Sequence, residues 1–245
     1  MPNDLLQDLA PTGRLRVALN SANGVLAASR TTSERPAGVT IDLSRELARR
    51  LGLDVAFEEC DTPGKALRVL AAGDADLSFF AVDPLRAQEV HFTRPYVEIE
   101  CGYVARDNSP LVRGDDVDQT GCTVFVFETS AYDLYLTRTL RHATIVRVRE
   151  QAKVLDAFLQ HQGLAALAGI KPSLIVTAER TPGLRMLEGG FPGVGQAMAL
   201  PRRCGAATQA YLEQFAQEMI EGGFIGAALE RHGIQGARVA TGPGR

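Results

Sequence analysis

Arg86 is the side chain in this sequence best suited to hold a small molecule. It follows a run that reads as a buried strand, Asp76-Leu77-Ser78-Phe79-Phe80-Ala81-Val82, and a turn at Asp83-Pro84. An extended segment, Phe92-Thr93-Arg94-Pro95-Tyr96, comes after it. A guanidinium is permanently charged and presents a planar fork of donors that fits a carboxylate bidentately. The competing reading is a surface ion pair with Glu89 at i, i+3. Thr129 and Ser130 open a helix, where an N-cap and an anion site are compatible because the first backbone N–H groups are unpaired. Tyr132 lies on the same first turn, placed either to close over a ligand or to pack inward. Asn20 and Asn23 follow the first strand, where open α/β sheets hold ligands, although Asn also builds turns there. Phe79 and Phe80 point to opposite faces of their strand, so that one is core and the other can line a site. Gln196, on a later extended segment, is a further polar candidate.

Other chemistries lack their residues. There is no Ser-His-Asp order, phosphate-binding loop or dinucleotide glycine motif, since Gly189-Gly190-Phe191-Pro192-Gly193 has the wrong spacing and context. Cys60, Cys101, Cys122 and Cys204 show no C-x-x-C spacing and no His at ligand distance, so neither metal nor cofactor is expected. They read as small buried hydrophobes with free thiols, although an even count also permits two disulfides in an oxidising compartment. The four His are isolated from one another and suit surface and cap roles; His232, before Gly233, suits a helix C-terminus. With 45% hydrophobic and 22% charged residues over 245, the composition is that of a soluble globular protein, of one large domain or two lobes. A net charge of −3 and short charge runs argue against a nucleic-acid partner. No apolar run reaches the roughly 18 to 20 residues that span a bilayer. Residues Met1 to Asp8 carry no signal-peptide pattern, which leaves a processed exported protein and a cytoplasmic one both open.

The elements that must position these residues alternate. Leu15–Asn20 reads as a strand feeding a polar loop, Ser21 to Ser33. A helix after Asp42 carries Leu43, Leu47 and Leu51 on one face and stops at Gly52. Val55–Phe57 is a short strand, Thr62-Pro63 starts a helix that Gly73 ends, and Asp76–Val82 is the third strand. This is the βαβ pattern of a mainly parallel sheet. Tyr96–Ala105 is extended, and the polar stretch Arg106–Gln119 reads as a crossing to a second lobe. There the alternation resumes: strands at 122–127, 144–148, 164–168 and 184–187, helices at 130–140, 152–160 and 174–179. Gly195–Pro201 reads as the return crossing. Two helices follow, one carrying Tyr211, Leu212, Phe215 and Met219, the other stopping at Gly233; the Gly-rich tail 236–245 reads as loose.

Several short motifs in this order resemble one family. Gly38-Val39-Thr40-Ile41-Asp42-Leu43 is similar to its Gly-Phe-x-x-Asp-Leu segment, and Gly73-Asp74-Ala75-Asp76 to its Gly-x-x-Asp. Arg86, Phe92-Thr93 and Pro95-Tyr96 resemble the Arg, Phe-Ser/Thr and Pro-Tyr that follow. Thr123-Val124-Phe125-Val126 with Thr129-Ser130 resembles its second-lobe strand and turn, and Gly223-Phe224 its C-terminal end. These motifs, spread over roughly residues 13 to 234, resemble the family 3 extracellular solute-binding proteins, the amino-acid-type receptors of ABC importers.

The resemblance implies an α/β, type II periplasmic-binding-protein fold of two lobes. Each lobe would be a mainly parallel sheet flanked by helices, and two hinge strands would join them. Lobe 1 would hold residues 1–101 and 200–245, lobe 2 residues 102–199. It further implies a small carboxylate-bearing ligand held in an interlobe cleft, closure on that ligand, a membrane permease as partner, a periplasmic location and a monomer. Three departures bear on the ligand. Phe79 and Ala81 stand where the family often places Ser or Thr. Gly169 and Ile170 stand where an acidic residue holds an α-ammonium, and Glu128 stands where a Gly precedes the Thr-Ser turn. A cation without an acidic partner is costly to bury, so an organic acid or a modified amino-acid-like solute is favoured. Some proteins of this fold are cyclohexadienyl dehydratases that use a cleft carboxylic acid. A desolvated Glu128, its pKa raised, would suit that enzymatic alternative; a ligand-sensing module is the other.

Overall fold

The computed structural model describes residues 3–21, 23, 26 and 36–240. The chain divides into two compact units, Met1–Glu98 with Gly195–Arg245, and Ile99–Val194. The first unit opens with a helix not expected from the sequence, α1 (Asn3–Leu9). Strand β1 (Arg14–Asn20) follows, with Leu15, Val17, Ala18 and Leu19 all buried. Helix α2 (Val39–Leu51) begins earlier than Asp42, which sits in its first turn, and ends at Gly52 in the left-handed conformation. After β2 (Asp54–Cys60), helix α3 (Pro63–Ala71) starts as its sequence demands. Thr62 caps it by accepting the Lys65 N–H at 3.1 Å, and Pro63 fills the first turn where no donor is needed.

Strand β3 (Leu77–Ala81) is buried along its whole length. β1 runs between β2 and β3, parallel to both, with Val17 beside Leu77 and Ala18 beside Ser78. At the foot of β3 the fully buried Asp76 carboxylate accepts from the Arg16 guanidinium (2.7 and 2.9 Å), the Arg16 N–H (3.0 Å) and Arg203 (2.9 Å). Buried charge is tolerated only when paired in this way. Strand β4 (Val90–Arg106) is 17 residues long, and the chain passes from the first unit to the second inside it, after Glu98. The polar stretch 106–119, read from sequence as the crossing, lies within the second unit.

That unit contains β5 (Thr123–Phe127), α4 (Ala131–Thr139), β6 (Thr144–Val148), α5 (Val154–Gln160), β7 (Ala165–Ile170), α6 (Lys171–Arg180) and β8 (Leu184–Met186). β5 lies between β6 and β7, parallel to both, and β4 runs antiparallel to β7 and β8. Strand β9 (Phe191–Pro201) returns to the first unit and pairs antiparallel with β3, Ala81 facing Gln196. Helices α7 (Ala206–Glu221) and α8 (Phe224–Arg231) are separated by a left-handed Gly223. His232 caps α8 and meets Asp42 at 2.8 Å. The tail is not loose throughout: β10 (Ala237–Val239) pairs with β4, and Arg238 binds Glu98 at 2.6 Å. The four cysteines are buried and free. Among the described residues no helix is long and apolar enough to cross a membrane, and no group of side chains could hold a metal ion.

Candidate functional site

In the first unit the site residues gather where β1 and β3 end. Because the two strands are parallel and in register, Asn20 is level with Phe80, and the chain leaves both strands at the same edge. Asn20 keeps a buried Oδ1 that meets no hydrogen-bond partner among the described residues. Asn23 serves the turn: its N–H reaches the Asn20 carbonyl (3.1 Å), and its Oδ1 accepts from Leu26 (3.4 Å). Beyond β3, the Asp83 carboxylate accepts the Leu85 N–H (2.8 Å), the turn role expected of a residue before Pro84.

That turn delivers Arg86 to the start of a single 3₁₀ turn, Arg86–Gln88. The side chain folds back over the strand. Its Nη1 donates to the Ala81 carbonyl (3.1 Å), and its guanidinium carbon lies 5.6 Å from the centre of the Phe80 ring. Arg86 is 5% exposed, so the surface-residue reading does not hold. Loss of water lowers its pKa to about 10, with the Asp83 charge opposing the shift, and it remains a cation at neutral pH. Phe80 is core rather than lining, packed with Ala18, Ala66 and Leu70, and its ring floors the guanidinium. Phe79 is also buried, edge-on to Tyr96 at 6.0 Å. Gln196 is buried beside Ala81. The fully buried Tyr96 hydroxyl, without a partner among the described residues, was not singled out by the sequence reading as a polar site atom.

In the second unit the candidates cluster where β5 meets α4. Ser130 is the N-cap: its Oγ accepts the Asp133 N–H at 3.1 Å. The Asp133 carboxylate reaches back to the Thr129 N–H (3.0 Å) and is held by Arg147 Nε (2.9 Å) and Thr137 Oγ1 (3.2 Å). Thr129 has φ +61°, the left-handed region that a β-branched residue rarely enters. The left-handed position of this turn is thus Thr129, the residue after Glu128. Asp133 and Arg147 were missed by the sequence reading. The Ser-x-x-Asp spacing from Ser130 to Asp133 is a capping signature that could have found the first. With the Ser130 hydroxyl taken by the Asp133 N–H and the Asp133 carboxylate by the Thr129 N–H, the N–H groups of Ala131 and Tyr132 face no acceptor among the described residues.

Tyr132 packs inward, and burial pushes its phenol up to about 12, partly offset by hydrogen bonds with Ser130 and Phe127. Glu128 departs from its expected environment. Its side chain is 37% exposed and only partly withdrawn from water, with Arg149 Nε at 3.5 Å, a partner that favours the carboxylate over the neutral acid. At the end of β7, Gly169 is covered by Leu174, and the neighbouring Glu100 is bound to Lys171 at 2.6 Å. The first unit thus offers a buried, permanently charged fork, and the second a helix start with two spare N–H donors. Both suit an oxyanion.

The family model of the bacterial extracellular solute-binding proteins, family 3, matches residues 15–233. Among solved structures, a putative ABC-transporter binding component from Wolinella succinogenes, complexed with lysine, is similar with a TM-score of 0.76. It is 16% identical over 90% of this chain and 95% of that one. The solute receptor for L-cysteine of Neisseria gonorrhoeae has a TM-score of 0.74, 22% identity, and coverages of 91% and 90%. The amino acid ABC transporter substrate-binding protein AbpA from Streptococcus pneumoniae, bound to L-arginine, has a TM-score of 0.74, 18% identity, and coverages of 93% and 98%. At these identities the likeness is one of fold, the mixed α/β type II periplasmic-binding-protein fold. Among the curated proteins none matches.

Proposed function

This chain belongs to the bacterial extracellular solute-binding proteins, family 3, and we propose that it captures a small carboxylate-bearing solute for an ABC importer. The observation that carries this reading is Arg86, a cation withdrawn from water at the end of a buried strand, where its charge has most value to an arriving anion. The spare N–H groups at the start of α4 are likewise suited to oxyanion charge. The solved structures support an amino-acid-like solute, since they include proteins named for lysine, L-arginine and L-cysteine. Against an unmodified α-amino acid stands the absence of a carboxylate at Gly169 and Ile170, so organic acids belong in the same class of candidates. The family's extracellular character favours a periplasmic location and a membrane permease as partner.

Calorimetric titration of protein stripped of ligand by unfolding and refolding tests the reading. An acid from a panel of amino, dicarboxylic and aromatic acids should bind, and Arg86→Ala should weaken it at least tenfold, about 1.4 kcal/mol. Unchanged affinity in a folded Arg86→Ala protein would remove the guanidinium from the site.

A further inference from the structure

A groove of about 600 Å³ opens in the second unit, lined by Arg106, Asn108, Ser109, Pro110, Leu159, His161 and the backbone that follows to Ala165. It lies at the N-terminal ends of β5 and β7, where Thr123 pairs with Ala165, whereas Thr129 and α4 follow the opposite end of β5. It is therefore separate from the solute site proposed above. No Asp or Glu lines it, although the chain as a whole carries more acidic than basic residues, 29 against 26.

Arg106, the last residue of β4, is fixed at the groove by one nitrogen. Its Nη2 donates to the carbonyls of Phe158 (3.1 Å), Leu159 (2.9 Å) and His161 (2.7 Å) at the end of α5, and its guanidinium lies 5.1 Å from the centre of the Phe158 ring. These contacts satisfy the helix carbonyls. They do not match the charge: among the described residues no carboxylate pairs with Arg106, and its Nε and Nη1 reach no acceptor. The His161 ring is held edge-on to Phe125 at 5.5 Å and passes over Gly163, where a Cβ would come within 2.8 Å of Nε2. Asn108 and Ser109 add an amide and a hydroxyl. A cation with unused donors, further neutral donors, no acid and a volume within the range of small-ligand sites together define a chemistry.

We propose that this groove is a second binding site, for a small molecule bearing a phosphate or carboxylate group, with Arg106 as its principal contact. Held on an exposed groove by one cation and neutral donors, the anion should half-saturate the site in the millimolar range. The test follows the His161 ring resonances of the full chain by NMR, titrating inorganic phosphate and succinate separately against chloride at matched ionic strength. Saturable shifts with either anion are expected, and the one that saturates identifies the group recognised. They should persist in Arg86→Ala, which keeps this result independent of the solute site, and disappear in Arg106→Gln. Because Arg106 also caps α5, Asn108→Asp gives a second arm: it adds a carboxylate to the groove from an exposed position and should weaken the anion at least tenfold. Shifts that follow chloride equally, or that survive both substitutions, would overturn the proposal.

Discussion

A guanidinium that is 5% exposed has exchanged most of its water for the Ala81 carbonyl, the Phe80 ring and the nearby Asp83 charge, and this sets what Arg86 tolerates. Arg86→Lys would keep a charge but lose the fork, and a buried ammonium gives up its proton far more readily than a guanidinium. The expected result is a loss of solute affinity of at least tenfold at pH 9 that partly recovers at pH 6; titration calorimetry at the two values checks it. Thr129 is strained in a different way. Relieving φ +61° with Thr129→Gly should raise stability by about 0.5–1 kcal/mol, the left-handed cost minus the added freedom of Gly. A higher urea midpoint would show it, and a lower one would mean that the Thr129 side chain outweighs the strain. At this scale the position of Arg86, just past a buried strand and a turn, was legible because both signals are local. The Glu128 environment was not: an accessible side chain beside Arg149 depends on the neighbouring loop, which spacing does not encode.

Elements show the same division between local and tertiary causes. Helices α2 and α3 were readable from Leu43, Leu47 and Leu51, from Thr62-Pro63 and from Gly52, because stripe, cap and stop are all local. α1 and β10 were not: short elements lean on partners distant in sequence, and unlike α5 and β8 these two lie near the chain ends, outside the strand–helix alternation. The passage between units falls inside β4, after Glu98, where a strand that simply continues needs no turn residue to mark it. The network around α4 is the element most open to test. Asp133→Ala removes the acceptor for Thr129, Thr137 and Arg147 together and should cost about 2 kcal/mol, discounted because Arg147 is partly exposed. Asp133→Asn should cost less; equal stability of wild type and Asp133→Ala in denaturant unfolding would show that the network is ornamental. On α2, the hydrogen bond from Arg49, aided by Arg50, lowers the Glu46 carboxyl from 4.5 to about 2. The folded pKa is depressed, so this contribution is complete above the ordinary value and is lost as pH falls through about 2. The decline in stability between pH 4.5 and 2 should accordingly be shallower in Glu46→Gln, as acid titration of the unfolding midpoint would reveal.

The whole molecule was more legible than its ligand. Motifs that are weak singly, such as Gly73 to Asp76, Pro95-Tyr96 and Thr129-Ser130, acquire meaning through their order, which the family match over residues 15–233 bears out. The proposed solute site rests on less redundant terms, a few polar groups supplied by separate parts of the chain. Among the described residues, the buried and unpartnered Asn20 Oδ1 is one example, and the N–H groups of Ala131 and Tyr132 are another. A solute that binds only the folded protein must raise its stability, by about 2.7 kcal/mol at a hundredfold excess over its dissociation constant. The measurement that tests the central claim most directly is a thermal-shift titration of stripped protein with amino acids, organic acids, neutral solutes and polyamines, run in parallel on Arg86→Ala. A concentration-dependent rise with one or more acids, absent in Arg86→Ala, is the expected result. A rise confined to neutral or cationic solutes, or one that Arg86→Ala leaves intact, would contradict a carboxylate receptor built on Arg86.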